Sequence, residues 1–251
     1  VIDDPLFYLA AVPAVLLYGI AKGGFAGGFG IVAVPLMALA VPVPQAAAIM
    51  LPILLVMDIA ALWAYRRSWD RGLIKLLLPA SLLGMAIGTF AFRYLTADAI
   101  RLALGVIAVG FVLYRWAAHA PDAPPAPRSA AKGWFWATVS GLTGFIAHAG
   151  SPPLQVYLLP LRLPPPLLIG TVAFLFAGLN YAKVLPYWWL GLLSVQNVAT
   201  AAALVPVGVA GVWAGVWLQR RVNARLFYTL IYTFLLLTGL KLFYDGLRAF
   251  A

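Results

Sequence analysis

The amino-acid sequence predicts an all-α, polytopic helical membrane protein built as two inverted-topology repeats, each a broken or re-entrant helical hairpin followed by three transmembrane helices. Three observations carry that expectation. Of the 251 residues, 64% are hydrophobic and only 10% are charged, the mean hydropathy is +0.97, and apolar runs follow one another near the length of about 20 residues that a spanning helix needs. Two glycine- and proline-rich stretches, Lys22-Gly23-Gly24-Phe25-Ala26-Gly27-Gly28-Phe29-Gly30 and His148-Ala149-Gly150-Ser151-Pro152-Pro153, interrupt those runs. The segments around the two interruptions also match each other in register.

A shift of 122 residues (164 minus 42) superposes Gly28 on Gly150, Val34 on Val156, Leu36 on Leu158, Leu39 on Leu161, Pro42 on Pro164 and Pro44 on Pro166, and sets Asp58 on Asn180. Farther on, a shift of 127 residues (206 minus 79) puts Pro79 on Pro206, Gly84 on Gly211, Gly88 on Gly215 and Ala97 on Ala224. In so apolar a chain, matched prolines and Gly-x-x-x-Gly pairs say more than matched leucines.

The first repeat, 1–117, therefore reads as two short apolar pieces, Leu6 to Ala21 and Gly28 to Val41, flanking a break, then three longer helices over Gln45 to Tyr65, Leu73 to Arg93 and Ala97 to Trp116. A Pro/Ala-rich segment, 118–132, has the composition of a cytoplasmic linker. The second repeat, 133–251, has short pieces over Trp134 to Ala147 and Pro153 to Leu163, then helices over Pro166 to Trp188, Val195 to Gln219 and Ala224 to Leu247. Thr96 and Asn223 stand at N-cap positions, and Gly84-x-x-x-Gly88 and Gly211-x-x-x-Gly215 offer small-residue faces for close helix packing.

The net charge of +10 sits in short loops, which encodes orientation in a membrane rather than affinity for nucleic acid. The basic stretches Arg66 to Lys75, Arg115 to Lys132 and Arg220 to Arg225 are expected on the cytoplasmic side, whereas Trp188-Trp189-Leu190-Gly191 is uncharged and reads as an interfacial aromatic belt. That assignment requires each leading pair to enter and leave on one side and the two repeats to be inverted. The acidic start, Val1-Ile2-Asp3-Asp4-Pro5, lacks the basic flank of a signal peptide. With no cysteine and only His119 and His148, no metal site and no cofactor are expected. Gly28-Phe29-Gly30-Ile31-Val32-Ala33 fits G-x-G-x-x-A but follows no strand, and no Walker A motif occurs. Asp58, His148 and Ser151 lack a nucleophile elbow, so no catalytic residues and no enzyme activity are expected.

The candidate solute-binding residues cluster at the breaks. Backbone groups freed inside a bilayer must be satisfied by protein, water or ligand, so a doubled break reads as a solute site. Lys22 is an intramembrane charge with two readings, a structural ion pair with Asp58 or an anchor for an anion. Gly24, Gly28 and Gly150 allow close backbone approach, and helix N-termini facing each other across a pseudo-twofold axis would cradle an oxyanion. Ser151 and Gln155 follow the second break at one-turn spacing. His148 could hydrogen-bond or exchange a proton, or be held by a backbone carbonyl; Asp58 is the other proton-coupling candidate. Asn180 and Lys183 stand one turn apart, with snorkelling to the interface as the alternative for Lys183.

At these residues the chain resembles the sulfite exporter TauE/SafE family, also called the toluenesulfonate uptake permease family. The similarity rests on the first glycine-rich break with Val34-Pro35-Leu36-Met37, on His148-Ala149-Gly150-Ser151-Pro152-Pro153 with Tyr157-Leu158-Leu159-Pro160, and on Gly170-Thr171 and Asn180-Tyr181-Ala182-Lys183. It implies a secondary transporter of a small sulfur-containing anion, such as sulfite, sulfoacetate or another organosulfonate. The carrier is expected in the bacterial inner membrane, working by alternating access, as a monomer or homodimer and with proton coupling as an option. Phe25 and Ala26 depart from the tighter glycine run common in the family. An anion channel and an intramembrane enzyme are the rival readings.

Overall fold

Pro5 opens α1 (Pro5–Gly24) at a position where its missing N–H goes unused, and the Asp4 side chain caps the helix by accepting the Leu6 N–H at 2.9 Å. The chain continues through α2 (Ala33–Met37), α3 (Val43–Tyr65), α4 (Arg71–Ala91), α5 (Ala130–Ala147), α6 (Ser151–Leu158) with a 3-10 turn at Leu159–Leu161, α7 (Pro165–Trp189), α8 (Val195–Gln219) and α9 (Ala224–Arg248). This computed structural model describes residues 1–28, 30, 33–91, 96, 102, 105–106, 108–110, 112–113, 116 and 125–248. The span expected over 97–116 and residues 118–124 of the linker lie largely outside them. Among the described residues every regular element is helical, and six helices (α1, α3, α4, α7, α8 and α9) are long and apolar enough to cross a membrane.

Most boundaries fall within a few residues of expectation, and α8 has the expected bounds. The first helix differs. It was expected to stop at Ala21, yet it runs on through Lys22, Gly23 and Gly24, and the break begins at Phe25. The reason is packing: a Cβ on Gly23 would overlap the Val212 carbonyl of α8, and one on Gly24 would come 2.5 Å from the Gly215 oxygen. These glycines therefore stay helical because a neighbouring backbone occupies the space of their side chains. Only beyond them does the chain turn left-handed, at Ala26 (φ 50) and Gly27 (φ 73). After the first break the described helix is the five residues of α2, and after the second the eight of α6; neither helix is long enough to span a bilayer.

The described chain forms two compact units, Val1–Ile74 with Pro165–Asn223, and Lys75–Pro164 with Ala224–Ala251. In the first, α1, α3 and α8 run parallel: Gly19 meets Gly208 and Gly24 meets Gly215 between α1 and α8, and Trp63 meets Trp213 between α3 and α8. α7 runs antiparallel to α3, since Ser68, just beyond α3, touches Gly170 near the start of α7. Phe7, Met37, Ile49, Met50 and Met57 fill the space between them. In the second unit, α4 and α5 cross at Gly84, Gly88 and Gly141, where added Cβ atoms would run into the Thr138, Leu142 and Ser81 carbonyls.

With lipid as apolar as leucine, such close backbone contacts hold helices together better than hydrophobicity does. Gly211→Val, which pushes two methyl groups toward a Leu16 carbonyl already 2.6 Å from the Cβ position, is expected to cost about 2–3 kcal/mol. Leu9→Ala, on a side chain 72% exposed, is expected to change stability by less than about 0.5 kcal/mol. Unfolding in detergent checks both values.

Candidate functional site

In the first unit the polar residues gather on one buried cluster. Asp58 lies on α3, Lys22 in the last turn of α1, and Asn180 and Lys183 on α7. The Lys22 ammonium Nζ is 2.6 Å from Asp58 Oδ1, Asn180 Nδ2 donates to Asp58 Oδ2 at 2.8 Å, and Lys183 Nζ donates to Asn180 Oδ1 at 3.3 Å. Exposure is 7% for Lys22, 0% for Asp58, 3% for Asn180 and 2% for Lys183. Lys183 therefore does not snorkel: its amine turns inward to the amide one turn before it. Both readings of Lys22 keep their footing, since the pair with Asp58 exists and brings a second amine, that of Lys183, into the same hydrogen-bonded chain.

Around the cluster the backbone is pinned. The Tyr65 hydroxyl donates to the Gly23 carbonyl at 2.6 Å, so α3 grips the end of α1 twice on one face, through Asp58 and, two turns on, through Tyr65. Gly28 is buried in the turn after α1, where its N–H bonds the Phe25 carbonyl at 2.9 Å. Gly24 packs against Gly215. Gly170 admits the Ser68 carbonyl, and the Thr171 hydroxyl takes the Asp70 N–H at 3.0 Å, which fixes the α3–α4 loop on the first turns of α7. Tyr181 donates to the Leu55 carbonyl at 3.3 Å.

In the second unit His148 ends α5 in a left-handed conformation (φ 51), with its N–H returned to the Thr143 carbonyl. Gly150 follows, its carbonyl accepting the Ser140 hydroxyl at 2.7 Å. Ser151 opens α6, and Gln155 Nε2 donates to Ser151 Oγ at 2.9 Å. His148, Ser151 and Gln155 are all buried. Pro152 and Pro153 have no N–H, and the Leu154 N–H turns back to the Gly150 carbonyl at 3.4 Å, so the first turn of α6 presents few backbone donors and its hydrogen-bonding capacity lies in side chains.

Sequence reasoning passed over Tyr65 and Ser140. A signal existed for Tyr65, which follows Asp58 by seven residues and so shares its helix face; for Ser140 none did, since its partner is a carbonyl across a loop of unknown shape. Among the described residues no group of three or more His, Cys, Asp or Glu could hold a metal ion. Among the described residues the first cluster sets two amines and a carboxamide against a single carboxylate.

The family model for the sulfite exporter TauE/SafE matches residues 11–242, and the chain belongs to that family. It is a multi-pass membrane transporter. No match to the chain was found among curated proteins or among solved structures.

A buried ion pair stripped of one member leaves an uncompensated charge, whereas its replacement by apolar groups is close to neutral. Asp58→Leu is expected to lose about 3–5 kcal/mol of stability, and Lys22→Met added to it is expected to restore most of that loss. Chemical or thermal unfolding of both single variants and the double in detergent reads the coupling; strictly additive losses would show that the two residues are independent.

Proposed function

We propose that the protein is a secondary transporter that moves a small sulfur-containing anion, such as sulfite, sulfoacetate or another organosulfonate, across the bacterial inner membrane by alternating access. The observation that carries this reading is the charge inventory of the buried cluster. Lys22 and Lys183 face one carboxylate, Asp58, and all three are almost wholly removed from solvent. A charge in such surroundings is costly and is tolerated when paired or used. An anion that binds the two amines would complete the balance, and its departure would return Lys22 to Asp58, so the ion pair and the solute compete for one ammonium.

In this reading Lys22 and Lys183 supply charge, Asn180 supplies the hydrogen bond that links them through Asp58, and Gly24 and Gly28 let the backbone come close. In the second unit the binding candidates are His148, Gly150, Ser151 and Gln155. Asp58 and His148 are the proton-coupling candidates, because moving an anion against the membrane potential requires its charge to be managed. The basic loops would face the cytoplasm, in agreement with the basic ends of the parallel helices α3 and α8.

The two-repeat, inverted arrangement belongs to the same proposal and is supported by packing register. Gly19 meets the Gly208 carbonyl as Gly141 meets that of Ser81; Gly211 meets the Leu16 carbonyl as Gly84 meets that of Thr138; Gly215 meets the Ile20 carbonyl as Gly88 meets that of Leu142. Each pair of contacts is related by the shifts of 122 and 127 residues read from the sequence. Asp58 and Asn180, 122 residues apart, are bonded to each other across antiparallel helices, as residues beside a twofold axis would be.

Reconstituted into liposomes, the protein is expected to take up labelled sulfite or sulfoacetate with saturation and to exchange it for unlabelled solute. Lys22→Met is expected to cut the rate by about tenfold to a hundredfold, the worth of a charged hydrogen bond; undiminished flux would remove Lys22 from the mechanism, and conduction without exchange would favour a channel. Asp58→Asn is expected to keep exchange while losing accumulation driven by a pH gradient, which the same vesicles measure.

A further inference from the structure

The end of the first unit at which α3 and α8 finish carries a second feature that the transported anion does not use. Trp213 and Trp217 stand one turn apart near the end of α8, with Arg221 in the turn just beyond it, and Trp63 lies in the last turn of α3 with Arg66 as the residue that follows. Trp63 meets Trp213 edge-on with ring centroids 5.6 Å apart. The Arg66 guanidinium lies over the Trp63 ring at 4.6 Å and the Arg221 guanidinium over the Trp217 ring at 4.1 Å. Trp63 is 59% exposed and Trp217 55%, both arginines are exposed, and neither forms an ion pair with a described residue. The opposite end of α7, with Trp188 and Trp189, is equally aromatic and exposed but uncharged.

A guanidinium stacked on an indole keeps its face against the ring and turns its N–H edge outward, where two parallel donors match two oxygens of a phosphate. Indole rings favour the interfacial level of a bilayer, where headgroup phosphates lie. Arg66 also spends one N–H on the Trp63 carbonyl at 3.2 Å, which fixes the fork in place before any ligand arrives. We propose that Trp63, Trp213, Trp217, Arg66 and Arg221 form a binding site for one anionic phospholipid of the leaflet that faces the basic loops, with the headgroup phosphate held between the two guanidinium forks and the upper acyl chains against the tryptophan shelf. The charge selects the occupant: a zwitterionic headgroup brings its own ammonium beside Arg66, Arg67, Arg220 and Arg221, whereas a phosphatidylglycerol headgroup adds only hydroxyls.

The test is native mass spectrometry of the detergent-solubilised protein titrated with phosphatidylglycerol or phosphatidylcholine of identical chains. Wild-type protein is expected to retain the first lipid about tenfold better or more, from two arginines near an anionic headgroup. Arg66→Gln with Arg221→Gln is expected to bring phosphatidylglycerol down to the phosphatidylcholine level. Arg248→Gln, which removes an exposed arginine stacked on Tyr244 at 5.5 Å, is expected to leave the preference unchanged. The pair Arg66→Lys with Arg221→Lys keeps the charge but loses the forks, and is expected to lose most of the preference. No preference in wild type, full preference in the glutamine double variant, or full preference in the lysine double variant would each overturn the proposal, the last by showing that diffuse charge suffices.

Discussion

The ion pair between Lys22 and Asp58 dictates how the first unit is put together. Neither charge tolerates lipid or an apolar interior alone, so α1 and α3 must present them to each other at hydrogen-bonding distance, and the remaining carboxylate oxygen must find a donor, which α7 supplies in Asn180. Three helices are thereby set in rotation and height by one carboxylate. A fourth, α8, is set by volume: the faces of α1 and α8 meet glycine to glycine, and the contact allows no slippage because a neighbouring turn lacks room for even one Cβ. Electrostatics chooses which side chains meet, and the glycines choose how closely.

Much of this was legible in the chain itself. Apolar runs of spanning length announce their helices, and glycines such as Gly84, Gly88, Gly211 and Gly215 announce close helix contacts. The pairing of Lys22 with Asp58 was readable because an intramembrane cation and anion have few alternatives. What could not be read follows from the same physics. Gly23 and Gly24 look like a helix break when the sequence is taken alone, because their reason for remaining helical is the backbone of α8, almost 200 residues away in the chain. Lys183 resembles a snorkelling lysine beside an aromatic interface, and only the position of Asn180 reveals the inward turn. The caps at Asp4, Ser129 and Ser194 were local enough to read, yet in a chain this apolar the hydropathy pattern drew the boundaries instead.

The second unit solves a different problem, that of a reversal between two helices inside an apolar surround. His148 takes the left-handed conformation that usually falls to glycine or asparagine, and the freed carbonyl of Gly150 is met by a serine from the helix just completed. Pro152 and Pro153 enter the following helix where missing N–H groups do least harm. Each of these choices removes an unsatisfied backbone group, and together they leave side chains, namely His148, Ser151 and Gln155, as the polar features of the turn. At the first break the left-handed positions fall to Ala26 and Gly27. An alanine stands there in a conformation that a Cβ disfavours by about 1 kcal/mol.

If the chain is built from two repeats as proposed, the Asp58–Asn180 contact is a place where the symmetry has to break. On the proposed two-repeat reading these are equivalent positions, and the packing of α3 on α7 brings them together at 2.8 Å. Identical residues there would fail: two carboxylates at that distance could not both be ionised, and two carboxamides would leave Lys22 without a counter-charge. One aspartate and one asparagine satisfy both demands, since the amide donates where a second carboxylate would repel. The same asymmetry leaves a single negative charge among two lysines, Lys22 from the first half of the chain and Lys183 from the second. On the proposed reading, an anion of the transported class binds where the two lysines meet this carboxylate.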